Sequence, residues 1–495
     1  MSELTRRGFL RTGCRAAGLA GLTALGLHPS VPIHASKQSR PNIVLIYVDD
    51  VGWNHLSCYG HPLIETPNID RLAEQGLRFT DAYSPAAVCS PSRCSLLTGQ
   101  YVFRHGHYMV RPPEQWLGNL ESKRPWKTRM QPPEWTSRLP LDKKTYGDAL
   151  KKAGYRTGFY GKWHIGALYD EKHPKQHPNR RGFDDAVIHL MAGPYVKSSS
   201  ERHFYPQFSL SPEQKVADGT YHGDLVSQQG VDFINRHKSG DPFFLMLSYF
   251  LVHLPFQAKK KAIDAYMKKY PNISRKHATF LAMHKHMDDG VGRITEALKK
   301  NGLDKNTIVI FTSDNGGLSH FGGNHPLKAN KHMYWEGGIR VPMIVRWPGV
   351  IKPGTTTDEP VHQVDFFPTF MDLAGRKPPS DQTMDGVSLV PLLRSSGRKP
   401  LGRKNLFWHF PAYSVSRSGR SYTGYPWQRP CSIVRSGDFK LIEWLENGEV
   451  ELYNLNADPG ELNNVALIMP EKAAALTGLI HQWRKKNRVP MPVPR

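Results

Sequence analysis

The chain has 495 residues and a formal net charge of +23, from 66 Lys and Arg against 43 Asp and Glu. At 39% hydrophobic and 11% aromatic residues it is too apolar for a disordered chain, and 5 cysteines are too few for a disulfide framework. No run of about 18 apolar residues follows the N-terminal segment, which excludes a polytopic membrane protein and stable membrane insertion. The positive excess predicts a polyanionic partner: nucleic acid, a membrane surface or an acidic polysaccharide.

Residues 1–35 read as an address. Arg6-Arg7 precedes Gly8-Phe9-Leu10, a weakly apolar stretch runs from Ala16 to Leu27, and Ala35 closes a candidate cleavage site. Arg-Arg followed by Phe-Leu resembles a twin-arginine signal, which predicts the export machinery as a partner and a periplasmic or secreted bacterial protein. Cys14 lies in no lipobox, so soluble release is expected. Residues 1–35 hold four arginines and one glutamate, so the basic excess stays with the mature chain. Export also argues against a nucleic-acid partner, and no nucleic-acid-binding motif is present. Asn272-Ile273-Ser274 fits a glycosylation sequon, which the prokaryotic signal sets aside.

In chain order, four apolar runs each end in polar residues. Asn42 to Val48 ends in Asp49-Asp50, Tyr155 to Tyr160 in Gly161-Lys162-Trp163-His164, Phe243 to Tyr249 leads to His253, and Thr307 to Phe311 ends in Asp314-Asn315-Gly316. Runs of this length, rich in β-branched and aromatic residues, suit strands buried on both faces. Helical patterns lie between them: Ile69, Leu72 and Ala73 with Gly76 as a candidate C-cap, Tyr146 to Lys152, and the stripe Met287, Val291, Ile294, Leu298 closed by Asn301-Gly302. The alternation predicts an α/β fold, a large, mostly parallel sheet flanked by helices over residues 36–395. Residues 396–495 predict a smaller C-terminal part, with short antiparallel strands at 405–408, 431–434, 439–442 and 450–453 and a helix over 473–485. Ligands of open α/β sheets bind at the carboxyl ends of the strands. The four polar strand ends therefore converge on one site.

Asp49-Asp50 and Asp314-Asn315 are hard oxygen donors with no Cys–His pattern beside them, which suits Ca2+ or Mg2+ rather than zinc. Adjacent carboxylates repel unless a cation neutralises them. The plain alternative is two unrelated solvated acidic turns. In Cys89-Ser90-Pro91-Ser92-Arg93, Pro91 marks a helix start, with Ser90 or Ser92 as candidate caps. Cys89 then lies at the positive end of that helix, as an activated nucleophile or as a buried structural cysteine.

Cys89-x-Pro91-Ser92-Arg93 with Leu97-Thr98-Gly99 resembles the signature of type I, formylglycine-dependent sulfatases, arylsulfatase-like members of the alkaline-phosphatase superfamily. Asp49-Asp50, Cys58-Tyr59-Gly60, the segment Thr66 to Ala73, Gly161-Lys162-Trp163-His164, Ser313-Asp314-Asn315-Gly316 and the segment Trp335 to Pro342 follow in the family's order. The resemblance implies a sulfuric ester hydrolase. Cys89 would be converted by a formylglycine-generating maturation enzyme to an aldehyde whose hydrate attacks sulfur. Asp49, Asp50, residue 89, Asp314 and Asn315 would bind Ca2+. Arg93 would hold the formylglycine oxygens, Lys162 and Lys331 would clamp the sulfate, His164 would orient the hydrate, and His253 would protonate the leaving alcohol. Lys328 competes with Lys331 for the clamp, and the resemblance favours Lys331, whose spacing to Trp335-Glu336-Gly337-Gly338 matches the family pattern.

Residues 109–140 interleave Trp116, Trp126 and Trp135 with Arg111, Lys123, Arg124, Lys127, Arg129 and Arg138, a pattern fit for stacking on sugars beside anionic groups, or for plain surface packing. His105 and His325 flank the motifs and are candidate substrate contacts. Export and charge together predict a sulfated polysaccharide or its oligosaccharides as substrate. The rival readings are a phosphodiesterase or phosphonate monoester hydrolase of the same superfamily, and a non-catalytic polyanion-binding protein. Once Cys14 and Cys89 are set aside, Cys58, Cys94 and Cys431 remain with no evident pairing.

Overall fold

The computed structural model describes residues 40–110, 128–165, 174–188, 219–321, 323–415 and 427–495. The N-terminal address and Trp116 and Trp126 lie outside them. Nine strands form the main sheet: β1 (Asn42–Val48), β2 (Leu77–Tyr83), β3 (Arg156–Gly161), β4 (Asp185–Ile188), β5 (Phe243–Ser248), β6 (Thr307–Ser313), β7 (Arg340–Arg346), β8 (Thr355–Thr357) and β9 (Val361–His362). Their order is β9-β2-β7-β6-β1-β5-β3-β4, with β8 also paired to β2. All pairings are parallel except those of β7, which runs against both β6 and β2.

The central position of β1 follows from its composition. All seven residues of Asn42–Val48 are buried, and successive side chains enter opposite cores. Ile43, Leu45 and Tyr47 join one apolar cluster, while Val44, Ile46 and Val48 join the other. The first cluster is closed by helices α2 (Cys89–Thr98), α3 (Tyr146–Lys152) and α7 (Phe366–Leu373). The second is closed by α1 (Pro67–Glu74), α4 (His222–Arg236) and α5 (Arg275–Lys300). The stripe Met287, Val291, Ile294, Leu298 is fully buried on α5. Gly76 serves a different end from the expected cap. Helix α1 stops at Glu74 with Gln75 as its cap, and a Cβ at Gly76 would collide with the Val345 carbonyl of β7. It is a close-approach glycine rather than a left-handed one.

After β9 the chain builds a second sheet of four antiparallel strands, β10 (Asn405–Phe410), β11 (Cys431–Ser436), β12 (Phe439–Trp444) and β13 (Val450–Asn454), in that spatial order. One face carries Val434, Leu441 and Leu452 against Ala473, Leu476 and Ile480 of helix α8 (Pro470–Asn487), which extends beyond the expected 473–485 at both ends. The other face sets Trp408, Ile433, Ile442 and Tyr453 against Tyr83, Ala86, Ala87 and Val88, the segment leading to Cys89. Cys58, Cys89, Cys94 and Cys431 are all free thiols.

Candidate active site

The carboxyl edge of the main sheet gathers the polar strand ends. Asp49 and Asp50 follow β1, Lys162 and His164 follow β3, His253 follows β5, and Asp314 and Asn315 follow β6. The antiparallel sense of β7 brings its entry point to the same edge. The loop before it, which carries Lys331 and ends in the short helix α6 (Glu336–Ile339), therefore reaches the same place. Helix α2 starts at Cys89 after an extended Val88, with no side-chain cap from Ser90 or Ser92. Ser90 instead bonds His107 Nε2 through its hydroxyl at 2.5 Å.

The centre is a charge cluster almost closed to solvent. Arg93 donates Nε and Nη2 to Asp314 Oδ2 at 2.9 and 2.7 Å and Nη1 to Ser248 Oγ at 2.7 Å. Its guanidinium lies over the Tyr47 ring, 5.1 Å from the centroid. Lys162 donates to Asp49 Oδ2, and Lys331 Nζ stands 2.6 Å from Asp50 Oδ1. Asn315 donates to the same Asp50 oxygen at 2.8 Å. His253 engages the Leu254 carbonyl with Nδ1 at 2.6 Å and turns Nε2 toward Asp50 Oδ2 at 3.7 Å. Both ring nitrogens of His164 are buried without a hydrogen-bond partner among the described residues. Asp50 and His164 both hold left-handed backbone, with φ of 62° and 51°. Non-glycine residues persist there only where the surroundings over-determine them, as at functional sites.

Burial pulls Asp49 and Asp50 toward the neutral form. Lys162 with His253 for Asp49, and Lys331 with His253 for Asp50, outweigh it and hold both carboxyls below their usual range. Asp314 goes the other way, raised by burial and by Asp49 despite Arg93. Burial, then Lys162 and Arg93, hold His164 well below the usual histidine range. The Cys89 thiol is pushed up by burial, against Lys162 and Lys331.

The donor set fits a hard divalent cation. Asp49 Oδ1, Asp50 Oδ2 and Asn315 Oδ1 are buried oxygens with no hydrogen-bond partner among the described residues. Ligand atoms of Asp49, Cys89 and Asp314, and again of Asp49, Asp50 and His253, lie within 4.8 Å of one another. Leaving such acceptors unmade costs about 1–3 kcal/mol each, more for charged groups. Three carboxylates face Arg93, Lys162 and Lys331, so the cluster is charge-balanced alone and becomes an anion site when a divalent cation joins it.

The other predicted contacts divide. His105 is 2% exposed, with Nε2 on Ser95 Oγ at 2.9 Å and Nδ1 accepting the His107 N–H at 3.2 Å. Neither ring nitrogen is left for a ligand, because the turn after α2 folds the ring back onto that helix. His325 is exposed on the loop between Asn315 and Lys331. Trp135 is buried with Tyr108, Met109 and Met130 and offers no exposed indole face. Lys328 leaves the site altogether and donates to Tyr453 of β13 at 2.9 Å.

A sulfatase family model matches residues 41–376. The chain belongs to the sulfatase family. A second model, the C-terminal part of N-sulphoglucosamine sulphohydrolase, matches residues 323–486. A sulfatase of Formosa agariphila is 32% identical, with 93% of this chain and 92% of that one aligned. The N-acetylgalactosamine-6-sulfatase of Rattus norvegicus is 35% identical over 75% of this chain and 68% of its own. The crystal structure of Ps i-CgsB superposes with a TM-score of 0.74 at 30% identity, covering 90% of this chain and 93% of that one, and a second structure of it is a complex with k-i-k-neocarrahexaose. The protein is a sulfuric ester hydrolase with the alkaline-phosphatase-superfamily fold.

Two groups of the cluster carry no motif that marks them in the sequence: Ser248, which accepts from Arg93 and donates to the Lys162 carbonyl at 2.6 Å, and Tyr47 beneath Arg93. Ser248 has a weak signal, since it is the polar last residue of an apolar strand, like Ser313. Tyr47 has none, because an aromatic residue inside an apolar run reads as core.

Proposed function

We propose that this sulfatase removes sulfate from a sulfated polysaccharide or its oligosaccharides, with residue 89 as formylglycine and Asp49, Asp50, Asp314 and Asn315 holding Ca2+ in preference to Mg2+. The observation that carries the reading is that buried oxygens of Asp49, Asp50 and Asn315 make no hydrogen bond among the described residues, while ligand atoms of Asp49, Cys89 and Asp314, and of Asp49, Asp50 and His253, lie within 4.8 Å of one another. Once present, the cation supplies Lewis-acid polarisation of a sulfate oxygen, and formylglycine supplies a hydrated aldehyde as nucleophile.

The chain's own residues do the rest. Arg93 is fixed by Asp314, Ser248 and the Lys162 carbonyl, and so presents a rigid positive wall behind residue 89. Lys162 and Lys331 carry the ammonium groups placed to hold sulfate oxygens, where negative charge grows during transfer. His164, with two unengaged nitrogens, is placed to exchange a hydrogen with the nucleophile. His253 uses Nδ1 on the Leu254 carbonyl, which leaves Nε2 to pass a proton to the departing alcohol.

The sugar reading is supported by the names of the relatives and by the basic excess of the chain. The proposal includes maturation by a formylglycine-generating enzyme, export through residues 1–35, and a catalytic part over 36–395 followed by 396–495. Peptide mass spectrometry of residue 89, followed by assays on defined sulfated oligosaccharides and 4-nitrophenyl sulfate, tests it. Activity confined to the aryl ester would remove the saccharide reading. A preference for phosphate or phosphonate esters would replace it, and an unconverted Cys89 in an inactive native protein would leave polyanion binding.

A further inference from the structure

Lys331 sits on a loop anchored by many bonds. Two residues close to it, Ala329 and His332, are in left-handed backbone at φ 68° and 79° without being glycine. Such conformations last only where surrounding contacts over-determine them. Here most of the side-chain anchors come from one source, the C-terminal sheet and its connecting segments. Lys328 Nζ donates to Tyr453 at 2.9 Å. His332 Nδ1 pairs with Ser414 Oγ at 2.9 Å. The Tyr334 N–H donates to Gln428 Oε1 at 3.0 Å, and Trp335 Nε1 donates to Glu451 Oε2 at 2.9 Å. The Glu336 N–H donates to Glu461 Oε2 at 2.6 Å, while Lys440 stands 2.9 Å from both Glu336 Oε1 and Glu461 Oε1. The loop is also closed on itself: the Gly337 N–H donates to the Lys328 carbonyl at 2.8 Å, and a side chain at Gly337 would strike the Lys328 and Ala329 carbonyls.

Lys331 itself makes no hydrogen bond or ion pair with the C-terminal sheet among the described residues. Its backbone N–H donates to the Gly317 carbonyl at 2.9 Å and its ammonium reaches Asp50. The strain is therefore held from one side while the functional group is delivered to the other. Burial of a fully paired Lys440 between two carboxylates gives a stiff anchor, since moving any member leaves a charge unpaired in the interior.

We propose that the C-terminal sheet is part of the catalytic apparatus, with Glu461, Lys440 and Glu451 as positioning residues that hold Lys331 at the sulfate site. This rests on the reading of Lys331 as a sulfate-holding group. A double-mutant cycle tests it, with kcat/KM measured on 4-nitrophenyl sulfate for the wild type, Glu461→Gln, Lys331→Ala and the double variant. Misplacing a reacting group by about 1 Å can cost about a hundredfold, so Glu461→Gln is expected to lower kcat/KM about 10- to 100-fold in the wild type. In the Lys331→Ala background it is expected to change kcat/KM by less than about twofold, because the group it positions is gone. A general structural role would instead give losses that multiply, and that result overturns the proposal. If Lys331→Ala alone loses no activity, the sulfate-holding role fails first and the positioning role with it. Should Glu461→Gln not fold, Trp335→Phe, which removes one N–H bond to Glu451, goes through the same cycle: a loss that disappears in the Lys331→Ala background supports the positioning role, and losses that multiply overturn it.

Discussion

Two of the buried charge clusters among the described residues invite comparison, the site cluster and the network around Glu336 and Lys440. In the network joining the main sheet to the C-terminal sheet, every carboxylate oxygen of Asp81, Glu336 and Glu461 has a hydrogen-bond or ion-pair partner within 3.4 Å, Glu461 Oε1 through its ion pair with Lys440 alone. Arg340 and Arg435 take Asp81, Tyr83 and Arg340 take Glu336 Oε2, Lys440 takes Glu336 Oε1 and Glu461 Oε1, and the Glu336 N–H takes Glu461 Oε2. In the site cluster, Asp49 Oδ1 and Asn315 Oδ1 have no such partner among the described residues, and Asp50 Oδ2 has only His253 Nε2 at 3.7 Å. Both clusters are buried, so burial does not separate structure from function. The unmet acceptors do: a saturated network fixes positions, that of the Lys331 loop among them, and an unsaturated one has room for a further partner.

The comparison can be broken most sharply at residue 89. Cys89→Ala is expected to lower turnover of a sulfate ester by about 10⁵-fold or more, the scale of losing a nucleophile, while the thermal unfolding midpoint stays close to wild type. Near-normal turnover would show that the unsaturated cluster acts without residue 89. Next in size is Asp50→Asn, expected to cost about a thousandfold in kcat/KM. It should also remove most of the Ca2+-dependent rise in thermal midpoint, which for the wild type corresponds to about 2.7 kcal/mol at a hundredfold excess over Kd. A calcium response that survives this substitution would place the cation elsewhere.

The saturated network should behave in the opposite way. Lys440→Met leaves Glu336 and Glu461 facing each other in the interior, and denaturant unfolding is expected to show a loss of about 3–5 kcal/mol. The calcium-induced shift of the folded protein should remain, and its loss would mean that the two clusters are one. Smallest is Tyr83→Phe, which removes one hydroxyl donor to Glu336 and should cost about 1.5 kcal/mol by the same measurement. A change in calcium response there would again merge the clusters.

Much of the site is legible in the sequence. Strands β1, β3, β5 and β6 are apolar runs with abrupt polar ends, and the abruptness is physical: interior strand residues must be apolar, and the first residue past the sheet edge is where polar groups are allowed. Helix α5 is legible for the same kind of reason, since its buried stripe repeats at helical spacing. The antiparallel strand β7 is harder to see, because Trp335 to Pro342 stands out as a motif rather than as an apolar run. His105 misleads because proximity to a motif in sequence says nothing about which way a ring turns. It turns inward, to Ser95.

The amino-acid sequence by itself determined which residue types stand at the carboxyl edge of the sheet, and hence the hard-donor, cation-seeking chemistry of the site, because burial pattern and strand period are local properties of the chain. Only the tertiary structure decided how the loop before β7 is held. Lys328 and Lys331 are three residues apart, yet one goes to Tyr453 and the other to Asp50. That choice depends on bonds from residues about 80 to 130 positions away, on the C-terminal sheet and its connections. No local pattern encodes them.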